Sequence, residues 1–139
     1  MRDWVVRVVL AVWAVASVQL GIWATFAPRS FYDDFPGFGR DWVRVDGPYN
    51  EHLVRDFGAL NLALAVVTIA ALVTLSRPMV ITAAVAWLAW SVPHLVYHLR
   101  HLDVLSSAGD KVANGLLLGS LPVLAVVVLV LTLRRPARL

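Results

Sequence analysis

The sequence predicts an all-α fold, an integral membrane four-helix bundle with an amphipathic extracytoplasmic loop between helices 1 and 2. Three observations carry this prediction. The 139 residues are 60% hydrophobic and only 15% charged, where a soluble domain has about 25% charged and 45–50% apolar residues. The mean hydropathy is +0.75, which makes lipid the natural solvent. Four apolar stretches approach the roughly 20 residues that cross about 30 Å of hydrocarbon, and none alternates apolar and polar residues as a barrel strand must.

A single domain, residues 1–139, accommodates spans at about 5–27, 50–75, 79–101 and 112–133. The first apolar run, Val8 to Ala27, follows Arg2 and Arg7 and stops at Pro28. It is longer than the roughly 7–15 residues of a cleavable signal core, and Thr25-Phe26-Ala27 before Pro28 is a poor cleavage site. An uncleaved first span is expected. The long connection Arg29 to Tyr49 mixes Phe31, Tyr32, Phe35, Phe38 and Trp42 with Asp33, Asp34, Arg40 and Asp41. That mixture suits a partly helical lid whose aromatics rest at headgroup depth, with turns at Pro36-Gly37 and Gly47-Pro48.

The second helix is expected to begin near Asn50, before its apolar run from Phe57 to Leu75. The connection Ser76-Arg77-Pro78 is so short that spans two and three must form an antiparallel hairpin. The third apolar run, Val80 to Val96, continues as a polar helix to His101 or Leu102. Pro93 lacks an amide hydrogen for the carbonyl of Ala89, which favours a bend there. The fourth run, Leu116 to Leu133, ends at the basic tail Arg134-Arg135-Pro136-Ala137-Arg138. Gln19, Ser17, Asn61, Ser91 and Ser120 are expected to hydrogen-bond between helices, and Gly21, Gly58, Gly115 and Gly119 to permit close approach. Trp4, Trp42, Trp87 and Trp90 have the placement of interfacial anchors.

The net charge of +3 does not imply nucleic acid, because the arginines sit at the ends of apolar segments and form no continuous patch. The absence of cysteine removes disulfides, thiolate metal sites and thiol catalysis. With the N-terminus cytoplasmic, the inner segments hold six basic residues (Arg2, Arg7, Arg77, Arg134, Arg135, Arg138), and the outer segments also hold six. The inner six are packed into far less chain, so density places both termini in the cytoplasm of a multi-pass cell-membrane protein.

All four histidines fall at one membrane face. In Pro93-His94-Leu95-Val96-Tyr97-His98-Leu99-Arg100-His101, at 100° per residue, His98 lies about 40° from His94 and His101 about 20° to its other side. At the start of the second span, His52 and Asp56 form one i, i+4 pair and Glu51 and Arg55 another. The hairpin brings both stretches to one layer. Imidazole and carboxylate together suit a metal ion, zinc or iron above all, and the lack of nearby sulfur disfavours copper(I). The candidate ligands are His94 and His98 with one of His52, Glu51 or Asp56. His101 would be a further ligand or lie at the mouth, and the remaining acids would orient the rings. The structural alternative is that these groups merely reach to the headgroups.

Asn50-Glu51, Arg55 and Phe57-Gly58-Ala59-Leu60-Asn61-Leu62-Ala63-Leu64 at the opening of the second span resemble small four-span bacterial membrane proteins of the DoxX-like type. The resemblance implies a four-helix bundle in a bacterial inner membrane and leaves activity and the histidine run unassigned.

Three functions are open from the sequence. One is a metal site acting on a lipid-soluble or interfacial substrate, with Asp56 or Glu51 as base to a metal-activated water. Another is a haem or quinone electron carrier with His52 and either His94 or His98 as axial ligands. The last is a non-catalytic accessory or scaffold protein; in each case membrane lipid is an expected partner.

Overall fold

The computed structural model describes residues 2–134; the basic positions Arg135 and Arg138 lie outside them. Helix α1 spans Arg2–Phe26 and α2 spans Pro28–Asp34. Pro28 supplies no amide to α1, but its fixed φ suits the first turn of a new helix. Helix α3, Glu51–Thr74, starts where Asn50 accepts a hydrogen bond from the Leu53 amide, which satisfies one of the first-turn donors. It ends at Leu75 in a left-handed conformation, and α4, Arg77–Arg100, follows at once. Helix α5, Ala108–Leu133, begins well before the apolar run at Leu116, because the Ser107 hydroxyl accepts from the amides of Gly109 and Asp110. Apart from the short α2, these helices are each long and apolar enough to cross a membrane.

The connection after α2 is ordered. It holds a small antiparallel hairpin, β1 (Pro36–Gly37) and β2 (Arg40–Asp41), which pairs Pro36 with Asp41 and Gly37 with Arg40. The sequence reading expected no strand; two-residue strands are too short to show alternation. Gly37 and Gly39 turn the hairpin with φ of 96° and 72°, values that L side chains rarely adopt. A 3-10 turn, Arg44–Asp46, leads on towards α3.

Helix α1 packs most closely on α3, and α4 on α5. Gly58 explains the first contact. A Cβ there would stand 2.6 Å from the Thr25 amide nitrogen, so the two backbones meet where α3 has no side chain. Gly21 is similarly closed over by Leu62, whereas Gly115 and Gly119 face open space; only two of the four expected contact glycines are contact glycines. The main core joins Val6, Leu10 and Trp13 of α1 to Val80 and Trp87 of α4 and Val128 of α5. Trp13 and Trp87 stack at 4.6 Å, and Trp87 Nε1 donates to Thr68 Oγ1 at 2.9 Å. Trp87 is therefore a core residue and not an interfacial anchor.

The expected interhelical bonds are mostly local ones. Ser17, Asn61 and Ser120 donate to carbonyls of their own helices, the usual resolution for a polar group within a helix.

Candidate functional site

A second apolar cluster, Ala24, Phe31, Tyr32 and Val54, lies under the connection between α1 and α3. Between it and the main core is a cavity of about 690 Å³, lined from α1, α3, α4, α5 and the connection. Its walls are largely aromatic and aliphatic: Trp23, Phe31, Phe35, Trp42, Phe57, Trp87 and Trp90, with Leu118 and Leu121 from α5. Few polar side chains interrupt them, namely Gln19, Asp46, His94, Tyr97, His98 and Asn114. A mostly apolar concavity with a few convergent polar groups is the usual form of a small-molecule site.

The connection closes one end of this cavity and is fastened to the bundle. Trp42 Nε1 donates to Asp110 Oδ1 at 3.0 Å, and Arg40 lies 3.1 Å from the same oxygen. The Tyr32 hydroxyl donates to the Gly47 carbonyl at 2.6 Å, and Tyr97 of α4 donates to Asp46 at 3.3 Å. Asp33 and Asp41, by hydrogen bonding and charge, raise the pKa of Arg29 and Arg44 respectively. Both arginines are open to solvent, where such pairs contribute little.

Histidines 94 and 98 belong to this cavity. The His94 ring stacks on Trp90 at 4.9 Å and lies 6.3 Å from Phe57 of α3. His98 meets it edge-on, with ring centroids 4.7 Å apart, as the i, i+4 spacing requires. His101 departs from them. The helix ends at Arg100, and His101 is exposed, stacked on Tyr97 at 4.2 Å. Its Nδ1 donates to the Tyr97 carbonyl at 2.8 Å. That carbonyl can only accept, so Nδ1 carries the proton.

The residues of α3 also divide. Phe57, Val54 and Leu53 line the cavity, and His52 stands about 140° around the helix from Phe57. It is 87% exposed and pairs with Asp56, itself 61% exposed, at 3.3 Å. Glu51 holds Arg55 at 2.8 Å, and Arg55 reaches the carbonyl of Thr25 at the end of α1. The hairpin does bring the start of α3 to the end of α4, through Phe57 and His94, but His52, Glu51 and Asp56 do not line the cavity. Among the described residues no three His, Asp or Glu side chains form a group able to hold a metal ion.

Asn114 escaped the sequence reading. It stands on the first turns of α5, within the expected fourth span of about 112–133 but ahead of the apolar run that begins at Leu116. The signal that places it was present in Ser107-Ala108-Gly109-Asp110, a hydroxyl three residues ahead of a carboxylate, which marks a helix start.

Comparison of the chain with protein-family models, curated proteins and solved structures finds no match. The DoxX-like resemblance thus rests on the residues quoted for it.

Proposed function

We propose that this chain is a multi-pass membrane protein that receives a lipid-soluble small molecule in the cavity beneath the connection, with His94 and His98 as its polar pair. The observation that carries this reading is the composition of the cavity wall, which is apolar and aromatic apart from a few uncharged or histidine groups and Asp46. Its volume suits a small organic molecule. Gln19 of α1 and Leu117 of α5 line the cavity and are also exposed, which supports entry from the side a bilayer would cover. The connection is then the extracytoplasmic lid, and both termini face the cytoplasm.

The test is saturable quenching of tryptophan fluorescence by 1-bromonaphthalene in lipid nanodiscs, read from Trp23, Trp42, Trp87 and Trp90 in the cavity wall. Wild type should saturate. Leu118→Trp, which fills the cavity, should leave only the linear quenching of probe dissolved in lipid. Linear quenching alone in wild type would end the reading.

The adjacent rings of His94 and His98 favour a second reading, a metal ion held by this pair with His101, His52, Glu51 or Asp56 recruited to complete it. Zinc there would leave purified protein colourless, and a haem would give a Soret band. Elemental analysis should then show metal in wild type and its loss from a His94→Ala/His98→Ala variant, since a lost ligand costs more than the roughly 10–100-fold of an outer-shell change. Equal metal content in both proteins would refute it.

A further inference from the structure

Five buried side-chain polar atoms have no hydrogen-bond partner among the described residues: Trp13 Nε1, Thr25 Oγ1, Asn61 Oδ1, Ser91 Oγ and Asn114 Oδ1. Of these residues only Asn114 lines the cavity. It is 4% exposed, and its carboxamide makes no hydrogen bond to any described residue. Asn61, by contrast, at least donates to the Phe57 carbonyl. Nδ2 is not among the enclosed atoms, so it is the end of the amide that the cavity can reach. An unpaired amide there is costly and calls for a partner from outside the chain.

The depth of the residue narrows the partner. Asn114 is six residues inside the start of α5, His94 six from the end of α4, and Gln19 seven from the end of α1. At 1.5 Å per residue each lies about 9–11 Å inside its helix end. Three polar groups from three helices thus form one tier in a cavity walled at that level by Phe57, with Trp90 deeper and Trp23 nearer the helix ends. The cavity lining includes no lysine or arginine, so an anionic head would lack a counter-charge. Flat aromatic walls favour a flat ring.

Resting on the reading above, we infer that Asn114 is the specificity-determining residue of the cavity, and that its ligand is a neutral, lipid-soluble ring compound bearing a hydroxyl or carbonyl oxygen. The carboxamide donates to a carbonyl and accepts from a hydroxyl. Its two ends exchange by a half-turn about the last side-chain bond, so it serves either oxygen. A site built to hydrogen-bond an oxygen discriminates against the analogue without it, because the analogue leaves the buried amide unpaired.

The experiment compares two heavy-atom quenchers that differ by one hydroxyl, 4-bromo-1-naphthol and 1-bromonaphthalene, on the full chain in nanodiscs. Wild type should bind the naphthol about tenfold more tightly, the worth of one hydrogen bond. Asn114→Leu should abolish that preference by weakening the naphthol, with 1-bromonaphthalene bound no less tightly than by wild type. Asn114→Ser, a smaller change, should narrow the preference and serves if the leucine variant does not fold. Thermal melting separates ligand recognition from a structural role. Without ligand, Asn114→Leu should melt no lower than wild type, since it removes a polar group that has no partner. Equal affinities of wild type for the two probes, equal loss of both in the variants, or a lower melting temperature without ligand would overturn the inference and leave the proposed function standing. Saturable binding of neither probe would remove both.

Discussion

His52 and Phe57 are five residues apart, and that spacing decides which of them meets α4. A turn of about 140° puts the ring of Phe57 against His94 and the ring of His52 on the outer side with Asp56. The pairing of His94 with His98 was legible, because an i, i+4 relation is internal to one helix. The azimuth of α3 was not. A helix that is apolar all round has no stripe to show which face is buried, and here the face is set by Gly58 fitting over Thr25. Gly58→Ala should therefore be markedly destabilising, by about 1–3 kcal/mol, in reversible unfolding in detergent, while Gly115→Ala should be nearly silent. Thr68→Val tests the polar bond across the core. It leaves Trp87 Nε1 without its acceptor, and a loss of about 1 kcal/mol is expected. A Trp87→Phe partner variant in a double-mutant cycle should show that the loss belongs to this pair.

Among the elements, the connection between α1 and α3 carries the most structure that composition alone did not reveal. Its amphipathic character was evident from the mixture of aromatics with acids. Its anchoring was not, because Trp42 finds its acceptor on Asp110, 68 residues away, and no local pattern encodes that pairing. Asp110 serves twice, as a first-turn acid of α5 and as the acceptor for Trp42 and Arg40. Asp110→Ala should loosen the lid, with amide exchange over residues 36–46 rising about five- to tenfold by mass spectrometry. Exchange of that segment within seconds in wild type would show instead that the lid is not held. The start of α5 gives the opposite lesson. Its cap was written in Ser107 and Asp110, but an apolar-run criterion passes over a polar first turn, and Asn114 went unnoticed with it.

At the scale of the molecule, four apolar helices with a tight hairpin between the second and third were legible from hydropathy and loop length. Their pairing was not, because α1 packs on α3 and α4 on α5, and helices that are apolar all round leave little sequence signal to tell these contacts apart. Orientation rests on basic-residue density, and the absence of cysteine makes it testable. Cysteines placed singly at Asp33 and at Asp103 should react with an impermeant reagent on intact cells, and one placed at Arg77 should react only after lysis. Labelling of position 33 only after lysis would reverse the topology.

The reach of Arg55 to the carbonyl of Thr25 bears on how the chain is made. At the end of α1 the last carbonyls have no partner within the helix. The arginine that covers one of them lies 30 residues downstream, so it is synthesised only after α1 is complete. The first helix must then wait, incompletely satisfied, until the opening turn of α3 arrives. Helices α4 and α5 have no such delay, since each is followed or preceded directly by its main neighbour. Biogenesis should accordingly be most sensitive at the Glu51–Arg55 turn, where Arg55→Ala would lengthen the residence of α1 beside the translocon, as photo-crosslinking of stalled chains can measure.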